Sequence, residues 1–497
     1  MELVNHLLEG FRHIAGVAPF LAIVAGVIGG ILVGAMPGLS PSMGVAILLP
    51  FTFKMHPLIG LVLLTAVYLA SNYGGSITAV TINTPGTPSA VATAFDGYPL
   101  TQQGKAGWAL GVSLVASTLG GMVGIIILIL FSQPLAAIAV RMHPAEYFAL
   151  ALFGLSTVAS LAGRNWAKAF TSALLGLLIN TIGIDPISGV KRYTFGVTNL
   201  FDGFSFIPAL IGLFALSEVF SKIEEGAWGN RSGGEISRKE QWPSWKDYWK
   251  LKRATLQASV IGTIIGIFPG AGSAIASFVA YDLGKKTSKN PETFGKGNPE
   301  GVAAAEAANS ASVGGAMVPL LTLGIPGSAS TAVLIGALTI HDLAPGPLLF
   351  TQSPELVYGL FASMFVANVV MLLLGFWGSR LWIKVTKVPL NVLIPLILSI
   401  ATVGSYAVKN SLFDVGACFG FGIVGWILKR YGYPMAPIVL GMVLGNLMEV
   451  NFRRAVIMGG YGVFFARPAS LILLLISVAA FVYPLIQTRK NRSKLEG

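Results

Sequence analysis

Long apolar runs alternate with short polar breaks along almost the whole chain of 497 residues. The runs read at 17–36, 57–72, 106–131, 145–162, 166–184, 205–221, 254–268, 302–324, 355–379, 388–407, 412–428, 434–449 and 466–486. Most are near the length of about 20 residues that a helix needs to cross a hydrocarbon core. Shorter pieces at 42–53, 76–95, 272–282 and 328–340 are interrupted by Gly or Pro, so they predict re-entrant or discontinuous helices. The pattern predicts an all-α polytopic membrane protein of about 12 transmembrane helices plus these broken pieces. Leu3, Leu7, Phe11 and Ile14 recur at helical spacing, which predicts an interfacial helix within residues 1–16. The start lacks a basic n-region, so no cleavable signal peptide is expected.

The breaks recur in order. Gly30-xxx-Gly34-xx-Pro37-Gly38 matches Gly262-xxx-Gly266-xx-Pro269-Gly270 at an offset of 232. Gly74-Gly75 followed by Pro85-Gly86 matches Gly314-Gly315 followed by Pro326-Gly327 at an offset of 240 to 241. The polar stretch 285–300 accounts for the difference. The chain therefore divides into a first membrane repeat (17–221), a polar segment (222–253), a second repeat (254–487) and a tail (488–497). Corresponding Gly/Pro-broken segments in two halves point to a transporter binding site between repeats.

Composition closes off other classes. The chain is 54% apolar and 11% charged, against about 25% charged in soluble domains, which excludes a soluble enzyme. The net charge of +12 is assigned to loops facing the cytoplasm, not to nucleic acid. Eight basic residues lie in 222–253 among Trp242, Trp245, Tyr248 and Trp249, and the tail carries Arg489, Lys490, Arg492 and Lys494. Both segments are expected in the cytoplasm. Cys418 is the sole cysteine and the five histidines are scattered, so no disulfide, zinc site or other metal centre is expected beyond a Na⁺ site. No GxxxxGK[ST] occurs, which argues against ATP-driven transport, and Tyr281-Asp282 lacks the second motif of an aspartyl protease. The chain is not expected to be an enzyme or to need a cofactor.

The broken segments suit an anion. In NTPGTPSA (83–90) proline ends one helix, glycine permits close approach, and Thr87-Pro88 reads as the start of the next. Backbone N–H groups at such a start bind carboxylates. The candidate substrate residues are Asn83, Thr84, Pro85, Gly86 and Thr87 there, and Pro326, Gly327 and Ser328, with Ser330, in the matching GIPGSAS turn. Pro37, Gly38 and Ser40 form a third such turn, and Pro269, Gly270 and Ser273 a fourth. Glu306, amid small residues and followed by Asn309 and Ser310, is read either as a cation site or as a helix-packing hydrogen bond. Asn72 is the rough counterpart of Asn309 and joins the cation-coupling set. Asp96 reads as a turn or cap, and Arg164 and Lys168 as topology signals.

The stretches YGGSITAVTINTPGTPSAVATAFDGYPLTQQGKAG (73–107) and GVAAAEAANSASVGGAMVPLLTLGIPGSASTAVLIGAL (301–338) resemble the two signatures of the large membrane subunit of tripartite tricarboxylate transporters, the TctA type. The likeness extends over nearly the whole chain. One departure is Asn309-Ser310, where the family commonly carries paired asparagines. The resemblance implies a multi-pass permease of a bacterial or archaeal cytoplasmic membrane, taking up organic carboxylates on a Na⁺ or H⁺ gradient. It also implies a small membrane subunit (TctB type) and an extracytoplasmic solute-binding protein (TctC type) as partners. The residues themselves leave a non-transporting scaffold or sensor, and a channel, as alternatives.

Overall fold

The computed structural model describes residues 2–36, 39–161, 166–226, 242–385 and 390–493. The first half contains α1 (Glu2–Ile14), α2 (Val17–Ala35), α3 (Pro41–Leu48), α4 (Pro57–Ile82), α5 (Ala90–Gln102), α6 (Ala106–Val140), α7 (Pro144–Leu161) and α8 (Trp166–Asn180). A two-residue antiparallel ladder, Gly183–Ile184 with Lys191–Arg192, follows. The next crossing is α9 (Phe206–Leu210), a π-helical turn (Ile211–Leu216) and α10 (Ser217–Glu224). The second half contains α11 (Trp245–Ile267), α12 (Gly272–Thr287), α13 (Pro299–Leu323), α14 (Ala329–Ile340), α15 (Leu349–Gln352), α16 (Pro354–Val385), α17 (Leu390–Lys409), α18 (Leu412–Arg430), α19 (Met435–Gly459), α20 (Val463–Ala466) and α21 (Pro468–Ser493).

The fold is that of an all-α, multi-pass membrane protein. Among the described residues, eight helices are long and apolar enough to cross a bilayer, and 41–52, 329–340 and 468–482 are shorter apolar helices. The runs behind the expected count of about 12 also take in α7, α8, α11, α13 and α21, which fall outside those eight. α1 lies along α16, where His6 stacks on Tyr358 at 5.0 Å.

Two boundaries differ from the sequence reading. The run at 57–72 and the front of the piece at 76–95 are one continuous helix, α4. Gly74 and Gly75 do not break it, because they are close-packing positions against α2 and Thr87. α11 begins at Trp245, inside the segment expected to be a polar loop, because Ser244 and Asp247 form a capping box there. Its first turns carry the Lys and Arg residues, and Trp245 and Trp249 stay exposed.

The contacts give the direction of each repeat. Gly26 meets Leu63 and Gly30 meets Val67, so α2 and α4 run parallel. Gly262 meets Ala308 and Gly266 meets Ser312, so α11 and α13 also run parallel. Across the halves the order reverses: Ser76 bonds Glu306 while Asn72 pairs with Asn309. The two pairs are antiparallel, and the repeats are inverted. In each half a short helix (α3 or α12) follows the break, and the long helix after it (α4 or α13) ends in a left-handed cap. Asn83 has φ +52° and Gly324 φ +71°. Thr84 N donates to Thr78 O and Ile325 N to Pro319 O, both at 3.2 Å, the same six-residue closure at an offset of 241.

Candidate functional site

The 83–89 turn folds back along α4 after the Asn83 cap. Gly86 N donates to Gly75 O at 3.1 Å, and Thr87 packs on Gly75. A Cβ at Gly86 would collide with the Gly34 carbonyl oxygen and lie 2.9 Å from Gly75 Cα. Asn83 and Thr84 are exposed, Pro85 is half-buried, and Gly86 and Thr87 are buried. Thr87 does not cap α5 as the sequence suggested. The helix starts two residues later, with Ser89 at its N-cap, and the Thr87 hydroxyl pairs with Ser89 at 3.0 Å. Thr87 is drawn away from the cap position by its packing against Gly75.

The matching turn is closed. Pro326, Gly327 and Ser328 are buried, and Gly327 packs on Ala316, whose Cα would be 2.7 Å from an added Cβ. Here the cap falls where the sequence places it: Ser328 accepts from Thr331 N at 3.2 Å in a reciprocal box with Thr331. The Ser328 hydroxyl also pairs with Tyr68 OH at 3.0 Å. Both turns thus lie beside α4, one at Gly75 and the other at Tyr68. Seven residues separate those levels, about 10 Å along the helix, or a third of a hydrocarbon core.

The early breaks meet the late ones. Gly270 N donates to Gly327 O at 3.1 Å, and Gly34 faces Gly86. The Pro269 carbonyl accepts from Thr157 on α7 at 3.0 Å, and Ser273, half-buried, sits in the first turn of α12. Ser40 caps α3 by accepting from Met43 N at 3.2 Å. Pro37 and Gly38 lie outside the described residues, as does Arg164. Lys168 donates to Tyr431 O at 2.6 Å.

At the crossing of α4 and α13 the structure brings the expected cation-coupling residues together. Glu306 is fully buried. Its Oε1 accepts from Ser76 Oγ at 2.5 Å and from Thr93 Oγ1, and its Oε2 accepts from Ser117 Oγ at 2.7 Å. These donors come from α4, α5 and α6. Asn309 Nδ2 donates to Asn72 O at 3.2 Å, and Asn72 Nδ2 to Tyr68 O at 3.0 Å. Asn72 Oδ1, Asn309 Oδ1 and Ser310 Oγ are buried with no hydrogen-bond partner. Asn72 and Asn309 are not strict equivalents: the Gly-Gly offset of 240 maps Asn72 to Ser312, one turn away. Ser76, Thr93 and Ser117 were missed from the sequence. Isolated hydroxyls in apolar helices were the available signal.

Asp96 is neither a turn nor a cap. It lies inside α5, fully buried, and its Oδ1 accepts from the backbone N–H groups of Gly295, Gly297 and Asn298 at 2.8, 2.9 and 2.7 Å. Oδ2 accepts from Tyr281 OH at 2.8 Å. The extra polar stretch of the second half is thereby folded onto the first half. One helix, α5, carries the end of the first turn, a ligand of Glu306 and this latch.

A family model described as the tripartite tricarboxylate transporter TctA family matches residues 20–440. An uncharacterized 52.8 kDa protein in the TAR-I ttuC' 3' region of Agrobacterium vitis is 36% identical over 498 residues, covering 100% of this chain and 99% of the relative. An uncharacterized protein in the TAR-II ttuC' 3' region of the same organism is 39% identical over 240 residues, covering 47% of this chain and 99% of the relative. No solved structure matches.

Proposed function

The chain belongs to the tripartite tricarboxylate transporter TctA family, and on that premise we propose that it is the permease subunit of a secondary, ion-gradient-driven uptake system for organic carboxylates. It carries out no covalent chemistry. The observation that supports this most is the pair of capped, Pro-Gly turns at equivalent places in inverted repeats, both lying beside α4. Inverted repeats with broken segments build midplane sites whose helix starts hold anionic groups. The substrate carboxylates sit between the 83–89 and 324–330 turns, and the coupling ion, Na⁺ or H⁺, binds among Glu306, Asn72, Asn309 and Ser310. A small TctB-type membrane subunit and a TctC-type binding protein complete the system in the cytoplasmic membrane.

Basic loops set the orientation. With 222–253 in the cytoplasm, α11 and α13 start there and α4, running the opposite way, ends there. The exposed 83–84 turn then opens toward the cytoplasm and the buried 326–328 turn is shut on the outer side. This fits an inward-open state of an alternating-access cycle.

The test is uptake into proteoliposomes holding the chain, the small subunit and the binding protein. Accumulation above equilibrium that collapses with the ion gradient supports the reading. Equilibration alone indicates a channel, and no flux a scaffold.

A further inference from the structure

We propose that Glu306 is a proton-binding site, and that Thr93 transmits its protonation to the first substrate turn; this rests on the transport reading. The partners described for the Glu306 carboxylate are neutral hydroxyls: Ser76, Thr93 and Ser117 bond it, and Ser113, one turn before Ser117 on α6, lies beside it. A buried carboxylate in a membrane with no cationic partner is costly, and such residues default to ion pathways. A proton removes that cost using the carboxylate alone. Sodium would need several more oxygens. The unpartnered Asn72 Oδ1, Asn309 Oδ1 and Ser310 Oγ, one turn away on α4 and α13, are the side-chain oxygens at hand, and none of them is hydrogen-bonded to the carboxylate. α4, α6 and α13 run unbroken past Ser76, Ser117 and Glu306, so no unwound backbone carbonyl of the kind transporters use joins them.

The cage exists once. The offset of 240 places Ala66 opposite Glu306 and Ala316 opposite Ser76, so the pseudo-symmetry of the scaffold does not require it. The titratable neighbours are few. α4 contributes Tyr68 and Tyr73. α5 contributes Tyr98 and Asp96, the latter held by Tyr281 of α12 and the 295–298 backbone. In the rest of α12, Asp282 pairs with Lys286 at 2.6 Å and Lys285 lies in the last turn. The charged residues of α11 and its Tyr248 lie between Lys246 and Arg253, well before the contact of Gly262 with Ala308. α6 and α14 have no titratable side chain within their spans.

Coupling follows from where the donors sit. Ionised Glu306 accepts from all three hydroxyls. On taking a proton from water it becomes a donor on one oxygen, so one hydroxyl must turn from donating to accepting. Hydrogen bonds to the charged form are roughly twice as strong as those to the neutral form. Protonation therefore loosens the hold on Thr93, which lies one turn from the Ser89 cap and the Thr87 packing contact.

The direct test is infrared difference spectroscopy of the full-length chain in nanodiscs between acidic and basic pH. A buried carboxylic acid C=O band that titrates in the native chain and vanishes in Glu306→Gln is expected. Thr93→Val keeps the carboxyl but removes one donor, and should shift the band without abolishing it. A band unchanged in Glu306→Gln, or no titrating band, overturns the proposal. In the complete proteoliposome system, accumulation on an imposed pH gradient should fall about tenfold or more in Glu306→Gln. Native-level, pH-driven accumulation in that variant also overturns it. Absence of any accumulation by the native complex sinks the transport reading instead, and the spectroscopic result still decides the proton site.

Discussion

Replacing Asp96 by Ala should release the 288–298 segment from α5, the helix that follows the candidate 83–89 turn. The native carboxylate accepts three backbone N–H groups on one oxygen and the Tyr281 hydroxyl on the other. Alanine removes the acceptor from one buried donor, Asn298 N–H, and three part-buried ones, at about 1–3 kcal/mol for a buried group and less where water takes over. The bonds share one acceptor group and do not add fully, so a local loss of about 3 kcal/mol is expected. At 1.4 kcal/mol per tenfold, that is roughly a hundredfold rise in the opened population. The segment offers trypsin Lys285, Lys286, Lys289 and Lys296. When opening and reclosing are fast relative to cleavage, the rate follows that population. Purified Asp96→Ala should therefore be cut within 285–296 roughly a hundred times faster than the native chain, and Asp96→Asn by an intermediate factor. Cleavage within threefold of the native rate would mean that the carboxylate does not hold the segment, whatever its geometry.

Gly86→Val and Gly327→Val should abolish transport while the chain still inserts, because each added side chain meets backbone of the same repeat; normal uptake by both removes the turns from the mechanism. Ser328→Ala should cost about 0.5–2 kcal/mol of stability through the lost cap, read as an earlier thermal transition, and a variant as stable as the native chain contradicts the cap. Cysteines placed at Ser232 and Ser493 should resist an impermeant thiol reagent in intact cells, and ready labelling of either reverses the orientation. Asp185 is held below the usual carboxylate range by the N–H groups of Ser188 and Ile187 and by Arg453. A depressed folded value means that its contribution is full above about pH 4 and lost as pH falls further. Hydrogen exchange at 185–190 should thus keep its protection from pH 7 to pH 5 and lose it only in stronger acid.

Much of the membrane architecture was legible because the bilayer constrains it so tightly. Apolar runs longer than a leaflet leave few alternatives to helices, and Pro-Gly pairs at fixed offsets mark where those helices stop. The direction of the second repeat was not legible. A residue offset carries no sign, and only the crossing of 72 with 309 and 76 with 306 shows that the halves are inverted. The Gly74-Gly75 pair was misread as part of a break because small residues serve two ends: they loosen a helix and they let a neighbour approach. In α4 the second purpose prevails, since Thr87 fills the space that a Cβ at Gly75 would take.

The polar contacts were the least readable layer, and the reason bears on mechanism. Asp96 is satisfied mainly by main-chain N–H groups about 200 residues away, and backbone donors leave no trace in composition. Glu306 could be singled out as an ionisable residue in an apolar run, but its partners are serines and threonines of the kind found in any such run. Both carboxylates converge on α5, a helix of 13 residues that follows directly from the first turn. Asp96, at the middle of α5, is held by donors that cannot be withdrawn without unfolding the 295–298 segment, and Thr101, further on, donates to Val80 O. Thr93, three residues before Asp96, is held by a carboxylate whose charge can change. The fixed contacts therefore lie in the middle and last turns of the helix and the reversible one in its first turns, next to Thr87 and Gly86. A change at Glu306 is thus felt first at the candidate substrate turn.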